Sequence, residues 1–182
     1  MAEDGTAKMK TVNDQFPNFA LTGVNAENNF ETVQNNESGI FIEAPWSVFY
    51  FYPKDFTFIC PTEIAAMDKL VDEGVTVVGF SGDNEYCKLN WKETNALIKN
   101  IRHPLVADTG LSLSKELGIV DENAGVCLRA TFIVDPHNVI KSVTINELDT
   151  GRNATEIIRT VKALQAGGLT GCEWKEGDDL LG

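Results

Sequence analysis

Four cysteines are the side chains most able to do chemistry in this chain, because a thiolate is both a nucleophile and a metal ligand. They stand at Cys60, Cys87, Cys127 and Cys172, well separated from one another. This spacing argues against a zinc knuckle and against a Cys-x-x-Cys dithiol. The two histidines lie in no His-x-x-x-His or His-Glu pattern. We therefore expect thiol or carboxylate chemistry without a metal ion or a cofactor.

Cys60 lies where a predicted strand gives way to a predicted helix. The apolar run 48–52 indicates a buried strand that stops at Pro53, and Pro61 suits the first position of a helix. We expect Cys60 at the N-cap, where its sulfur faces unpaired N–H groups and the positive end of the helix dipole, both of which favour a thiolate. A free cysteine is more often a small buried hydrophobe, but this position favours an activated thiol.

A helix terminus alone is too weak to activate such a thiol. Lowering a cysteine pKa from about 8.5 to about 6 requires about 3.4 kcal/mol, whereas a helix end supplies about 0.3 to 1 kcal/mol. A nearby cation is needed, and of the four arginines Arg129 flanks a predicted central strand from which it could reach the site. Thr57, about one helical turn before Cys60, could bring its hydroxyl to the sulfur. Pro53 could shield the site.

The remaining candidates have two interpretations each. Cys87 lies on a predicted helix beside Leu89 and Trp91, which favours a packing role. Cys127 has apolar neighbours and the same interpretation, although its closeness to Arg129 keeps a chemical role open. Glu63 is either a partner of the site or an ordinary helix-capping residue at the third position.

Short apolar runs alternate with amphipathic stretches along the chain, a pattern typical of α/β proteins. Three runs are apolar throughout and predict central strands covered on both faces: 47–52, 75–80 and 130–134. Weaker strands are predicted at 19–22, 104–107 and 139–145, the last in a hairpin with 130–134. Helices are predicted at 61–72, 84–99, 111–117 and 153–166. We therefore expect a mixed central sheet flanked by helices.

The ends of the predicted helices carry capping signals. Asp83 or Asn84 can cap the second helix, and Asn153 can cap the last one, which Gly167 ends. We expect residues 1–168 to form one domain. Residues 169–182 form a short polar arm with Cys172 that needs a docking surface on its own chain or on a partner.

Composition excludes several classes of function. The chain has 182 residues and a net charge of -12, without a cluster of basic residues to attract nucleic acid or an anionic membrane surface. No apolar run is long enough for a spanning helix, and the polar N-terminal residues are unlike a signal peptide. We expect a cytoplasmic protein that binds neither nucleic acid nor membranes.

The segment 51–64 resembles the active-site signature of the peroxiredoxins. It reads Phe-Tyr-Pro-Lys-Asp-Phe-Thr-Phe-Ile-Cys-Pro-Thr-Glu-Ile and carries the family's Pro-x-x-x-Thr/Ser-x-x-Cys spacing at Pro53, Thr57 and Cys60. The resemblance continues through 90–92, 129–135, 151–153 and 172–178. It is greatest for the typical two-cysteine class, which includes the peroxidase subunit of alkyl hydroperoxide reductase.

This resemblance implies a thioredoxin-like fold and a thiol peroxidase that reduces hydrogen peroxide and organic hydroperoxides. It makes Cys60 the peroxidatic cysteine, which becomes a sulfenic acid. It assigns Thr57 and Arg129 to activating the thiol and aligning the peroxide, Pro53 to shielding it, and the supporting residues Glu63 and Arg152 to bracing the arginine.

The same resemblance implies how the cycle closes. Cys172 in the arm of a partner subunit becomes the resolving cysteine, so the protein is a homodimer that can assemble into a decamer. Thioredoxin or a dedicated disulfide reductase then reopens the intersubunit disulfide. In the family the resolving cysteine stands four residues before a tryptophan, whereas Thr170 holds that place here and Cys172 stands two before Trp174. Cys87 and Cys127 therefore stay open as alternative resolving thiols.

The motifs that accompany easy overoxidation in the family, Gly-Gly-Leu-Gly and a C-terminal Tyr-Phe helix, are missing from this chain. We therefore predict resistance to inactivation by excess peroxide. Two other functions compete with the peroxidase. A thiol-disulfide oxidoreductase would need a dithiol, but the position three after Cys60 is Glu63. A non-catalytic holdase or peroxide-signalling scaffold would bind its clients without turnover.

Overall fold

A computed structural model describes residues 8–35 and 46–182. Its centre is a seven-stranded mixed sheet with the strand order β2-β1-β5-β4-β3-β8-β9. The strands are β1 Ala20–Val24, β2 Phe30–Gln34, β3 Ser47–Phe51, β4 Thr76–Ser81, β5 Leu105–Ala107, β8 Arg129–Val134 and β9 Ile140–Asn146. A separate small pair joins β6 Val120–Asp121 to β7 Val126–Cys127.

The three strands predicted to be central lie side by side in the middle of the sheet. β3 pairs with β4 in parallel and with β8 antiparallel. All six residues of β8 are buried, as are the last four of β3 and the last five of β4. Continuous burial is what a strand covered on both faces requires. The mixed α/β class and the buried centre are therefore confirmed.

Two apolar clusters cover the two faces of the sheet, because successive side chains of a strand point to opposite sides. One cluster contains Tyr50, Tyr52 and Cys60 together with helix residues such as Ile64 and Val161. The other is built around phenylalanines, among them Phe49 and Phe51 from the alternate positions of β3. Cys60 therefore lies in the helix-covered layer.

Four α-helices and one 3₁₀ segment surround the sheet in the described ranges. They are α1 Cys60–Met67, the 3₁₀ segment Asp68–Glu73, α2 Glu85–Thr94, α3 Ser112–Leu117 and α4 Ala154–Ala166. The Asn84 side chain caps α2, Asn153 caps α4 and Gly167 ends α4 in the left-handed conformation. These capping predictions are confirmed. No helix in the described part of the chain is long and apolar enough to cross a membrane.

The predicted second helix was too long, and one strand of the central sheet was not predicted. The predicted helix 84–99 ends at Thr94, because Asn95 is extended and its side chain accepts a hydrogen bond from the Leu97 N–H. Strand β2 was not predicted, since three of its five residues are exposed and, among the described strands, it pairs only with β1. An edge strand with this polarity lacks the apolar signal. The predicted hairpin of β8 and β9 is confirmed.

The arm, residues 169–182, packs against its own chain beside α4. Trp174 is buried, its carbonyl accepts a hydrogen bond from Arg159 NH1 at 2.8 Å, and its indole N–H donates to the Asp178 carbonyl. The Leu181 N–H donates to the Leu169 carbonyl and closes the arm into a loop. The docking surface for Trp174 is thus on the same chain.

Candidate active site

Cys60 was predicted to be the N-cap of α1, but it is the first residue of that helix. Ile59 occupies the cap in helical conformation, and its carbonyl accepts hydrogen bonds from the N–H groups of Thr62 and Glu63. These two donors are therefore already paired and do not serve the sulfur. The Cys60 side chain lies in the core layer, with the residue 1% exposed. Any stabilisation of its thiolate has to come mainly from side chains.

Arg129 supplies that contact. It is the first residue of β8, and its NH1 lies 3.3 Å from Cys60 Sγ. The same NH1 donates to Glu63 Oε2 at 2.6 Å, and Nε donates to the Leu148 carbonyl at 2.7 Å. Burial alone would lower the pKa of Arg129, but its interactions with Cys60 and Glu63 outweigh burial and raise it. The guanidinium is therefore held as a cation at the sulfur.

Glu63 joins two arginines. It lies on α1 one turn after Cys60, and besides Arg129 it binds Arg152 through Nε at 3.0 Å and through the backbone N–H at 2.9 Å. The glutamate side chain is 2% exposed. A capping residue would turn toward the helix end, so the structure supports the first of the two interpretations of Glu63.

Arg152 is fixed from several sides. Its NH1 donates to the Ala130 carbonyl and to Thr131 Oγ1, both at 3.0 Å, and its NH2 donates to the Phe51 carbonyl. The guanidinium carbon also lies 5.1 Å from the centre of the Tyr50 ring, within cation–π range. Arg152 therefore holds Glu63 against the ends of β3 and β8.

Behind Arg152 lies a buried polar chain that the sequence did not reveal. The Tyr50 hydroxyl lies 2.6 Å from His103 Nε2, and His103 Nδ1 lies 2.7 Å from Asp68 Oδ1. Burial lowers the pKa of His103 despite Asp68. Burial would raise the pKa of Asp68, but hydrogen bonds from His103 and Arg102 lower it well below its usual value. A neutral imidazole donating to Asp68 and accepting from Tyr50 satisfies all three groups.

The other predicted site residues lie in the loop between β3 and α1. The Thr57 hydroxyl donates to the Lys54 carbonyl at 2.9 Å, so its proton is directed to the loop backbone and not to the sulfur. Pro53, the second residue after β3, is buried and lines a groove shared with Asp83 and Val126. The structure thus brings Arg129, Glu63 and Arg152 to Cys60 and places Thr57 and Pro53 in the adjoining loop.

A second buried network fixes this loop. Asp55 Oδ1 accepts hydrogen bonds from the Tyr52 hydroxyl at 2.8 Å and from Ser81 Oγ at 3.2 Å, and Lys88 Nζ lies 3.3 Å away. The side chains of Lys88 and Asp55 are fully buried. Burial raises the pKa of Asp55, although Lys88 opposes that effect. No motif pointed to this lysine, which sequence alone would place on a wet helix face.

The remaining cysteines have different surroundings. Cys127 is fully buried, its thiol donates to the Tyr52 carbonyl, and burial raises its pKa to about 12. Its packing role is supported. Cys87 is partly exposed, and burial together with Asp55 and Asp83 raises its pKa to about 11. The packing role predicted for Cys87 did not include these two carboxylates, which lie beside its thiol because the loop carrying Asp55 packs against α2.

Cys172 is exposed at the start of the arm. It lines a surface depression with Arg159, Ala163 and Trp46. Since Cys60 is buried at the start of α1, the two cysteines occupy contrasting positions. The four cysteines are free thiols in this structure.

A thiol held against a buried arginine–glutamate–arginine cluster, on a mixed sheet covered by helices, defines a class of thiol enzymes. A model of the AhpC/TSA family matches residues 12–143. Alkyl hydroperoxide reductase C from Mycolicibacterium smegmatis is 37% identical, over 94% of this chain and 93% of that protein. Peroxiredoxin-1 from Gallus gallus is 33% identical, over 91% of this chain and 86% of that protein.

Solved structures agree with these relatives. The reduced two-cysteine peroxiredoxin of Plasmodium vivax superposes with a TM-score of 0.85 at 32% identity, covering 93% of this chain and 92% of that chain. The chain therefore belongs to the AhpC/TSA family. The expected thioredoxin-like fold and the expected activity, thiol-dependent reduction of peroxides by a peroxiredoxin, are confirmed.

Proposed function

We propose that Cys60 is the thiol that peroxide oxidises and that Arg129 is the residue that activates it. The observation that carries this assignment is the 3.3 Å contact between Arg129 NH1 and Cys60 Sγ inside the core layer. A charge-assisted hydrogen bond of this kind contributes about 1.5 to 3 kcal/mol. This is the size of contribution that a helix terminus cannot supply by itself.

The charges of the cluster support the same assignment. Arg129 and Arg152 carry two positive charges, and Glu63 carries one negative charge. One positive charge is left over in a buried site, and a Cys60 thiolate neutralises it. Since unpaired buried charge is costly, this cluster favours the anionic form of the sulfur. Glu63 acts as a positioning residue because it binds Arg129, and Arg152 acts as one because it binds Glu63.

The chemical step follows from the thiolate. Its sulfur attacks one oxygen of the peroxide, the O–O bond breaks, and the second oxygen leaves as water or alcohol after taking up a proton. The sulfur is oxidised to a sulfenic acid and the peroxide is reduced. Arg129 can donate to the peroxide as well as to the sulfur, because a guanidinium carries five N–H groups. Thr57 and Pro53 align and shield the peroxide in this proposal, as the family motif implies.

Cys172 is the resolving thiol in our proposal. Resolution needs a thiolate that can reach the sulfenic acid. Cys127 is buried and its thiol has a raised pKa, and the same holds in weaker form for Cys87. Cys172 is exposed on an arm held largely through Trp174. We propose that it attacks Cys60 of a partner subunit in a homodimer, which can assemble into a decamer.

A cytoplasmic reductant completes the cycle in this proposal. Either thioredoxin or a dedicated disulfide reductase opens the Cys60–Cys172 disulfide by thiol–disulfide exchange. A reducing compartment such as the cytoplasm would supply this reductant.

Non-reducing gels after one equivalent of peroxide test both cysteine assignments. Wild type should run as a covalent dimer, whereas Cys60→Ser and Cys172→Ser should run as monomers. Cys127→Ser is the matched control and should still form the dimer. A covalent dimer that persists in Cys172→Ser would assign the resolving step to another cysteine.

A further inference from the structure

Three metal-ligating side chains meet beside the loop that precedes Cys60. We call Asp55, Asp83 and Cys87 the DDC cluster; one ligand atom from each lies within 4.8 Å of the other two. Asp55 belongs to the loop after β3, Asp83 follows β4, and Cys87 lies in the first turn of α2. Ligands of a tetrahedral zinc ion lie about 3.3 to 3.7 Å apart for bonds of about 2.0 to 2.3 Å. A shift of about 1 Å would therefore close the cluster around an ion.

One carboxylate oxygen of the DDC cluster is buried without a hydrogen-bond donor. Asp55 Oδ2 is buried and has no hydrogen-bond partner in the described part of the chain. The other oxygen, Oδ1, already takes the bonds from Tyr52, Ser81 and Lys88. A buried carboxylate oxygen left without a donor is costly, and a bound cation would remove that cost.

The charges also favour a bound dication. Asp55 and Lys88 are buried and Asp83 is partly exposed, and the two carboxylates with the Lys88 ammonium leave one net negative charge. A dication held by both carboxylates and by a Cys87 thiolate brings this sum to zero, with Lys88 still in position. Lys88 bonds Oδ1, so it does not occupy the side of the carboxylate where Oδ2 is free.

We propose that the DDC cluster binds a borderline soft dication such as Zn²⁺. The sulfur selects against Mg²⁺ and Ca²⁺, which take oxygen ligands, and two oxygens with one sulfur suit Zn²⁺ or Co²⁺. The Cys87 thiol gives its proton to solvent as the sulfur–metal bond forms, and no group changes oxidation state. Asp83 and Cys87 are partly exposed, which provides an entry path for the ion.

A bound ion would tie the Cys60 loop to α2, because Asp55 lies in that loop and Cys87 on the helix. Cys60 is buried and has to leave the first turn of α1 to meet a second thiol. The ion would therefore slow disulfide formation, an inference that rests on the proposed function above. Metal binding to the DDC cluster itself does not depend on it.

Cobalt absorbance tests the site directly. Co²⁺ is titrated into reduced protein carrying Cys60→Ser and Cys172→Ser, and the thiolate-to-cobalt charge-transfer band is followed, with Zn²⁺ added to displace the cobalt. We expect one ion per chain. Adding Cys87→Ser should remove the band, and adding Asp83→Asn should weaken binding at least about tenfold. Glu116→Gln, an exposed carboxylate on α3, is the matched control and should bind normally.

Two results would overturn the site: a band that survives Cys87→Ser, or no saturable binding up to millimolar metal. The loop role has a separate readout. Zn²⁺ should slow the peroxide-driven dimer in wild type but leave its rate unchanged in Cys87→Ser. Equal slowing in both proteins would reject the DDC cluster as the cause. Absence of the dimer without added metal would instead reject the proposed function and leave the cobalt result standing.

Discussion

Two replacements of Arg129, by methionine and by lysine, separate the effect of its charge on the Cys60 thiol from the effect of its hydrogen-bond geometry. The guanidinium makes three contacts at once, to Cys60 Sγ, Glu63 Oε2 and the Leu148 carbonyl. Arg129→Met removes the charged hydrogen bond to the sulfur, which contributes about 1.5 to 3 kcal/mol. Since about 1.4 kcal/mol corresponds to a factor of ten, the reaction of Cys60 with peroxide should slow by about 10- to 150-fold. Arg129→Lys keeps the charge but has one nitrogen for three acceptors. Its Cys60 should therefore react with peroxide more slowly than in wild type and faster than in Arg129→Met.

Stopped-flow mixing of reduced protein with peroxide gives this rate as a second-order constant. The Cys172→Ser background isolates the first oxidation from the resolving step. Arg102→Lys serves as the control, because Arg102 pairs with Asp68 and Asp72 at the surface. An Arg129→Met protein that is correctly folded by circular dichroism and reacts as fast as its parent would refute the role given to Arg129.

The remaining predictions concern stability, the arm and oxidation. Because burial lowers the pKa of His103, the unfolded state takes up a proton that the folded state does not. The free energy of unfolding should therefore fall as the pH drops below about 6.5, by at most about 1.4 kcal/mol per pH unit. Urea titrations should show a flatter pH dependence for His103→Gln and an unchanged one for the exposed His137→Gln; equal slopes in all three would contradict this. Trp174→Ala should speed hydrogen exchange throughout residues 169–182 while α4 stays protected, and an unchanged arm would argue against its docking through Trp174. Peroxide in tenfold excess should leave Cys60 largely free of sulfinic acid by mass spectrometry, whereas rapid formation of sulfinic acid would contradict the predicted resistance.

The architecture was predictable because its signals are local. Continuous apolar runs marked β3, β4 and β8 as central, and asparagine side chains marked the starts of α2 and α4. Strand β2 was not predicted because it is an edge strand with exposed polar residues and lacks a continuous apolar run. The early end of α2 depended on one extended residue, Asn95, whose conformation is settled by its own side chain.

The cation beside Cys60 was predictable from the charge that its thiolate needs. The contacts between residues far apart in the sequence were not predictable. The weakness of a helix end indicated a cation near Cys60, and the structure places Arg129 there. The assumed N-cap position was off by one residue, which leaves more of the activation to Arg129. No sequence pattern around Lys88 indicated that it is buried against Asp55, because the two residues meet only when the loop packs on the helix.

The assignment of Cys60 as the reacting thiol is tested by finding which sulfur peroxide oxidises first. Cys172→Ser protein is treated with one equivalent of peroxide in the presence of a sulfenic-acid trap, and peptides are mapped by mass spectrometry. We expect the adduct on Cys60, and we expect less of it at the same reaction time when Arg129→Met slows the reaction. An adduct on Cys87 or Cys127 with an unmodified Cys60 would contradict this assignment.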